Sequence, residues 1–194
     1  MSRAASQKRP EELREAIVKY LIKRGLTGLS LRPLAKAVGA SPRLLLYYFG
    51  SKEKMVVDVL AEIRRRQRAS YRGVQAPSFQ QACGVIWKQM SASDSEPLFR
   101  LFFEAYGMAL RQPKLYRALL HATVEDWLRF IADPLCREGH PRELARAFAT
   151  VVLAGLRGFM LDYCTTADRA RLDRAVALWL ETLPAMLAAQ KEAD

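Results

Sequence analysis

Apolar residues return along this chain at intervals of three and four rather than two, the spacing that lays a single stripe along an α-helix. After a polar, basic start, Leu13, Ala16, Ile17, Tyr20 and Leu21 fall on one face. Pro10 suits the first turn of that helix, Glu11 and Glu12 suit its positive end, and Gly25 suits its close. Ser30 caps a short second helix with Pro33 still in its first turn and Leu31, Leu34, Ala35 and Val38 turned inward; Gly39 stops it. Ser41 followed by Pro42 opens a third short helix, which stops at Gly50. A long fourth helix is predicted from Ser51 to about Tyr71, with Met55, Val59 and Ile63 as its stripe. Further helices are predicted at roughly 78–91, 96–111, 113–137, 142–163 and 168–189. Alternating runs bounded by turns are missing, so the fold class is all-α.

Composition adds little to this picture until charge is located. With 194 residues, 51% of them hydrophobic, the chain can bury one sizeable core or join a small module to a larger one. Residues 1–72 carry 17 Lys/Arg against 6 Asp/Glu, whereas residues 73–194 carry 14 of each, so the whole net charge of +11 belongs to the first third. Such a concentration repels itself unless it meets a polyanion, which makes this third the expected nucleic-acid footprint. The arginines at 64, 65, 66 and 68 are partly explained without DNA, because basic side chains suit a helix C-terminus. The longest apolar stretch, Leu144 to Leu161, is interrupted by Arg146 and Arg157, so no membrane span is expected. No opening stretch has the pattern of a secretory signal, and the three cysteines lack C-x-x-C spacing, so buried thiols in a cytoplasmic protein are expected.

The two short helices around Lys36 to Pro42 have the size and glycine-containing turn of a helix-turn-helix, whose second helix enters the major groove with its first residues at the base edges. Three stretches carry a specific resemblance: Gly25 to Ala35, ending in S-x-R-P-L-A; the turn Val38-Gly39-Ala40-Ser41; and Tyr47-Tyr48-Phe49-Gly50-Ser51-Lys52-Glu53-Lys54-Met55. Over these residues the chain resembles the DNA-binding module of the tetracycline-repressor (TetR) family. Ser41, Pro42 and Arg43 open the recognition helix, where a hydroxyl can meet phosphate or base and a guanidinium can take guanine O6 and N7 together. Arg32 sits in the first turn of the preceding helix, within reach of a base or phosphate. Lys52 matches the family's phosphate-contacting lysine, beside a helix N-terminus that favours anions. Leu46 stands where the family usually has a phosphate-bonding tyrosine; Tyr47 or Tyr48 takes that role, with Tyr47 favoured because it lies one turn from Arg43.

The resemblance divides the chain into a DNA-binding domain, residues 1–54, and an effector-binding and dimerisation domain, residues 55–194, with the fourth helix as connection. It also implies a homodimer on double-stranded operator DNA. A narrow seam of Leu172, Val176, Trp179, Leu183 and Met186, with small Ala149 and Gly155 on the helix before, offers a dimer surface; an intramolecular core is the other reading of the same stripe. The expected effector is a small, largely apolar compound held among Trp87, Phe99, Phe103, Tyr106, His121, Trp127 and Phe159. No cofactor or metal is expected. His121 and His140 lack a partnered nucleophile, and G-x-S-x-G, P-loop and H-E-x-x-H patterns are missing, so an enzyme is disfavoured. The remaining alternative is a constitutive or architectural DNA binder without an effector, which leaves a neutral, aromatic-rich body unused.

Overall fold

The computed structural model describes residues 10–71 and 78–188. Among them run nine α-helices and no strand: α1 (Pro10–Arg24), α2 (Leu31–Val38), α3 (Pro42–Phe49), α4 (Lys52–Tyr71), α5 (Phe79–Met90), α6 (Glu96–Arg111), α7 (Pro113–Arg137), α8 (Arg142–Thr166) and α9 (Arg169–Ala188). The all-α expectation is met. Local chemistry accounts for the boundaries. The Ser41 hydroxyl accepts the Leu44 N–H at 3.1 Å, the Ser51 hydroxyl that of Lys54 at 3.1 Å, and the Ser78 hydroxyl that of Gln81 at 3.2 Å. Gly39 closes α2 in the left-handed region, φ 68° and ψ 38°, which a side chain disfavours. α8 runs three residues beyond its expected end at 163. The Thr165 and Thr166 hydroxyls donate back to the carbonyls of Leu161 and Asp162 at 3.0 and 2.9 Å, holding the last turn together.

Two hydrophobic clusters organise the helices. The first gathers Leu13, Ile17, Leu21, Leu34, Leu45, Met55 and Val59 from α1–α4, each no more than 1% exposed. Full burial of one such side chain contributes about 1.5–3 kcal/mol. This cluster continues along α4 to Ile63 and takes in Leu101, Phe102, Ala105 and Ala109 of α6 with Tyr116 and Leu119 of α7. The second cluster joins Tyr71 to α5, α7, α8 and α9, with Phe99 of α6 at its edge. α6 and α7 both contribute to each cluster, α7 with its first turns in the first cluster and its second half in the second. Cys83 lies in the second cluster, where burial pushes its thiol up to about 12.

The arginines at the end of α4 are committed to the fold. Arg65 and Arg66 both bond Glu62 at 2.7 Å, and Arg66 also pairs with Glu15 of α1. Arg64 and Arg68 both reach Asp126 of α7, at 3.1 and 3.2 Å. Arg14 of α1 meets Asp58 of α4 at 2.8 Å. Part of the basic excess read from the sequence is thus neutralised inside the molecule, and α4 is clamped between α1 and α7.

Candidate nucleic-acid interface and effector cavity

Several cations without a carboxylate partner among the described residues lie on α2, α3 and the start of α4. Arg32 and Lys36 on α2, Arg43 on α3 and Lys54 on α4 are exposed and form no ion pair among the described residues. α3 fully buries only Leu45, which anchors it to the first cluster. Arg43, Leu46 and Tyr47 consequently share the outward face, since residues three and four apart lie together on a helix. Tyr47 is 80% exposed and Leu46 41%. Tyr48 is half-buried against the first cluster and sets its ring edge-on to Tyr47, centroids 5.4 Å apart. Ser41 caps α3 and Pro42 occupies its first turn, leaving the hydroxyl hydrogen of Ser41 free to donate outward. The Lys52 ammonium lies 3.5 Å from the Leu29 carbonyl, at the seam between α4 and the loop before α2.

Glu104 of α6 links the body to this module. Its carboxylate accepts the backbone N–H groups of both Leu26 and Thr27, the latter at 3.1 Å. Gly25 is required beside it: φ is +76°, and a Cβ there would lie 2.6 Å from a Glu104 oxygen.

A cavity of about 40 Å³ lies between α4, α5, α6, α7 and α8. Its wall combines Met90, Phe99, Phe102, Phe103, Trp127, Leu153, Leu156 and Met160 with four polar side chains, Gln67, Tyr106, Thr123 and Arg157. A larger groove of about 510 Å³ between α5 and α7 shares Trp127 and Leu156 with it. Among the described residues no group of three or more His, Cys, Asp or Glu side chains could hold a metal ion.

Residues 13–59 match the model of bacterial regulatory proteins of the tetR family, and residues 76–178 match that of the C-terminal domain of LmrA/YxaF-like transcriptional regulators. The chain belongs to the TetR family. A curated relative, the HTH-type transcriptional regulator BetI of Rhizobium meliloti (strain 1021), is 25% identical over 90% of this chain and 75% of its own. Among solved structures, a transcriptional regulator from Rhodococcus sp. Rha1 superposes with a TM-score of 0.76 at 20% identity, covering 90% of this chain and 95% of that one. A TetR regulator from Legionella pneumophila does so with a TM-score of 0.67 at 15% identity, covering 89% and 95%. These two likenesses bear on the fold alone. The chain is a DNA-binding transcriptional regulator of the TetR family.

Of the residues expected at the effector pocket of this TetR-family chain, Phe99, Phe103, Tyr106 and Trp127 line the cavity. Trp87 and Phe159 do not: they stack in a separate aromatic run with Trp179, centroids 6.1 and 5.4 Å apart, and the Trp87 indole N–H donates to Asp173 at 2.7 Å. His121 is exposed on α7 and also stands apart. Gln67, Thr123 and Arg157 were missed. For Arg157 the signal is present in the sequence, as one of two cations inside the apolar stretch from Leu144 to Leu161.

The expected dimer seam needs correction. Leu172, Val176 and Leu183 are 1–2% exposed and Ala149 0%, all inside the second cluster of a single protomer. A Cβ on Gly155 would lie 2.6 Å from the Trp179 ring, so Gly155 makes room for its own chain's indole. A periodic stripe marks the face a helix buries without saying which chain covers it, and here the intramolecular partner won. Met186, the last residue of the expected seam, is exposed instead, and it belongs to an outward stripe with Val151, Ala154, Gly158 and Leu161 on α8 and Leu178 on α9. Of the described helices, α8 alone is long and apolar enough by length and composition to cross a membrane, and its most apolar window is 39% buried in this protomer.

Proposed function

We propose that this regulator is a cytoplasmic homodimeric repressor that leaves its operator when a small molecule enters the cavity. Residues 1–54 supply the DNA reader, α4 the connection, and the rest the sensor. Arg43 and Ser41 read base edges in the major groove, while Arg32, Tyr47 and Lys52 hold phosphates. Tyr47 takes the position in front of Tyr48 because its phenol is free in solvent beside Arg43. The exposed stripe on α8 and α9 packs against its symmetry mate, and burial of Val151, Leu161 and Leu178 supplies the drive. Such a dimer carries two α3 helices, which fit operator half-sites about 10 bp, roughly 34–36 Å, apart.

One observation carries the release mechanism: α6 lines the cavity with Phe103 and Tyr106 and, between them, holds the reader's Leu26 and Thr27 through Glu104. α4 does the same with Gln67 on the cavity and Met55 in the reader core. A guest that moves α6 or α4 therefore moves the reader. The test is operator titration with and without ligand for Glu104→Ala. Ligand should weaken wild-type binding about 5- to 150-fold, and the variant should lose most of that ratio while still binding ligand. An unchanged ratio sinks this route. The narrowness of the cavity favours a second reading, a constitutive DNA binder; operator affinity indifferent to every compound that binds the body would establish it.

A further inference from the structure

Arg157 breaks a rule that the other arginines keep. Three arginines among the described residues are partly buried: Arg14, Arg64 and Arg157. Arg14 is paired with Asp58 and Arg64 with Asp126. Arg157 has neither an ion pair nor a hydrogen bond among the described residues, and its guanidinium carbon stands over the Tyr106 ring, 5.3 Å from the centroid. Exposed arginines without carboxylates have water instead. Arg157 points its charge into the wall of a mostly apolar cavity, where a cation without a counter-ion is costly unless a ligand completes it. Burial pushes the guanidinium below its ordinary pKa and no carboxylate offsets the shift.

Two other polar groups of the wall, Thr123 and Tyr106, sort around it. Thr123 spends its hydroxyl hydrogen on the Leu119 carbonyl at 2.8 Å. The Tyr106 phenol, on the residue that faces Arg157, makes no hydrogen bond among the described residues and remains free to donate. The guanidinium stands over the Tyr106 ring, and guanidinium and phenol on one cavity wall can together seat a planar anion, with Phe99, Phe103 and Met160 on the same wall for an apolar body.

We infer that the effector is an organic carboxylate with a hydrocarbon or aromatic body, its head on Arg157 and Tyr106 and its body among the aromatic side chains of α6 and α7. This inference rests on the proposed sensor and narrows the expected ligand from a largely apolar compound to an amphipathic acid. At about 40 Å³ the cavity seats the head and little else. The body takes its room from the 510 Å³ groove behind Trp127 and Leu156, the side chains that wall both spaces.

The test is calorimetric titration of the full chain with octanoate and 4-phenylbutyrate, beside the matching primary amides, followed by operator titration with the same compounds. At least one carboxylate should bind about 10- to 100-fold more tightly than its amide. Arg157→Gln should erase that preference while leaving the melting temperature within a few degrees, and Tyr106→Phe, which keeps the ring and loses the hydroxyl, should reduce it in part. Equal binding of acid and amide, a preference that survives Arg157→Gln, or no binding of either carboxylate up to about 1 mM overturns the inference. Carboxylates that bind through Arg157 yet leave operator affinity untouched support the anion seat and defeat the sensor instead.

Discussion

Tyr47 and Tyr48 are adjacent in sequence and opposite in circumstance, and the difference decides how α3 is read. Helical spacing already favoured Tyr47; the structure adds that Tyr48 is held against the first cluster. Arg43 and Lys52 separate in the same way. Arg43→Ala should relax preference at one base position at a cost of about 1–3 kcal/mol, whereas Lys52→Ala should weaken all sequences alike and lower the salt slope by roughly 1. Competition binding against single-base operator variants at two salt concentrations distinguishes them, and identical profiles would refute the division. Glu62 makes a prediction in pH. The Arg65 and Arg66 guanidiniums that bond it hold its carboxyl at about 2, below the usual 4.5. A depressed carboxyl contributes stability above its unfolded pKa and loses it as pH falls through the folded one. Glu62→Gln should accordingly lower the melting temperature at pH 7, and the gap should close between about pH 4.5 and 2. Such residue-level roles were legible where a motif or helical phase fixed them; Glu104 was not, because its partners lie 77 and 78 positions away.

At the scale of elements, helix positions were legible almost throughout, since each carries its own stripe, cap and stop. What the stripe on α9 could not convey was which surface covers it. Leu172, Val176 and Leu183 repeat as a dimer seam would, yet α5 and α8 already occupy that face. Two substitutions now separate the faces. Leu172→Ala should destabilise the protomer by about 2–5 kcal/mol through a cavity in its core. Leu161→Asp should leave the fold intact and dissociate the dimer, seen as a halved mass in sedimentation at micromolar concentration. A dimer that survives Leu161→Asp would move the interface elsewhere. The α1–α2 loop gives a further check: Gly25→Ala, at φ +76° and against the Glu104 carboxylate, should cost about 1–2 kcal/mol. Its partner change Glu104→Ala should remove the steric share of that penalty and leave the backbone share.

At the scale of the whole molecule the charge map and the packing map do not share a border. Positive charge was legible as a bias of the first third, but the structure splits it between ion pairs that clamp α4 and free cations on α2, α3 and the start of α4. Packing divides differently again. The cluster that steadies the reader recruits Leu101, Phe102, Ala105, Ala109, Tyr116 and Leu119, residues that lie after the second cluster has begun in sequence. This has a consequence for anyone wishing to graft this reader onto another sensor. A chimera spliced even after α4 carries away the recognition face and abandons six of the side chains that roof it. It should express poorly or melt early. Returning those six positions to the recipient body, without any further piece of this chain, should restore the junction, so the transplantable unit is a list of residues on three separate stretches and not a segment.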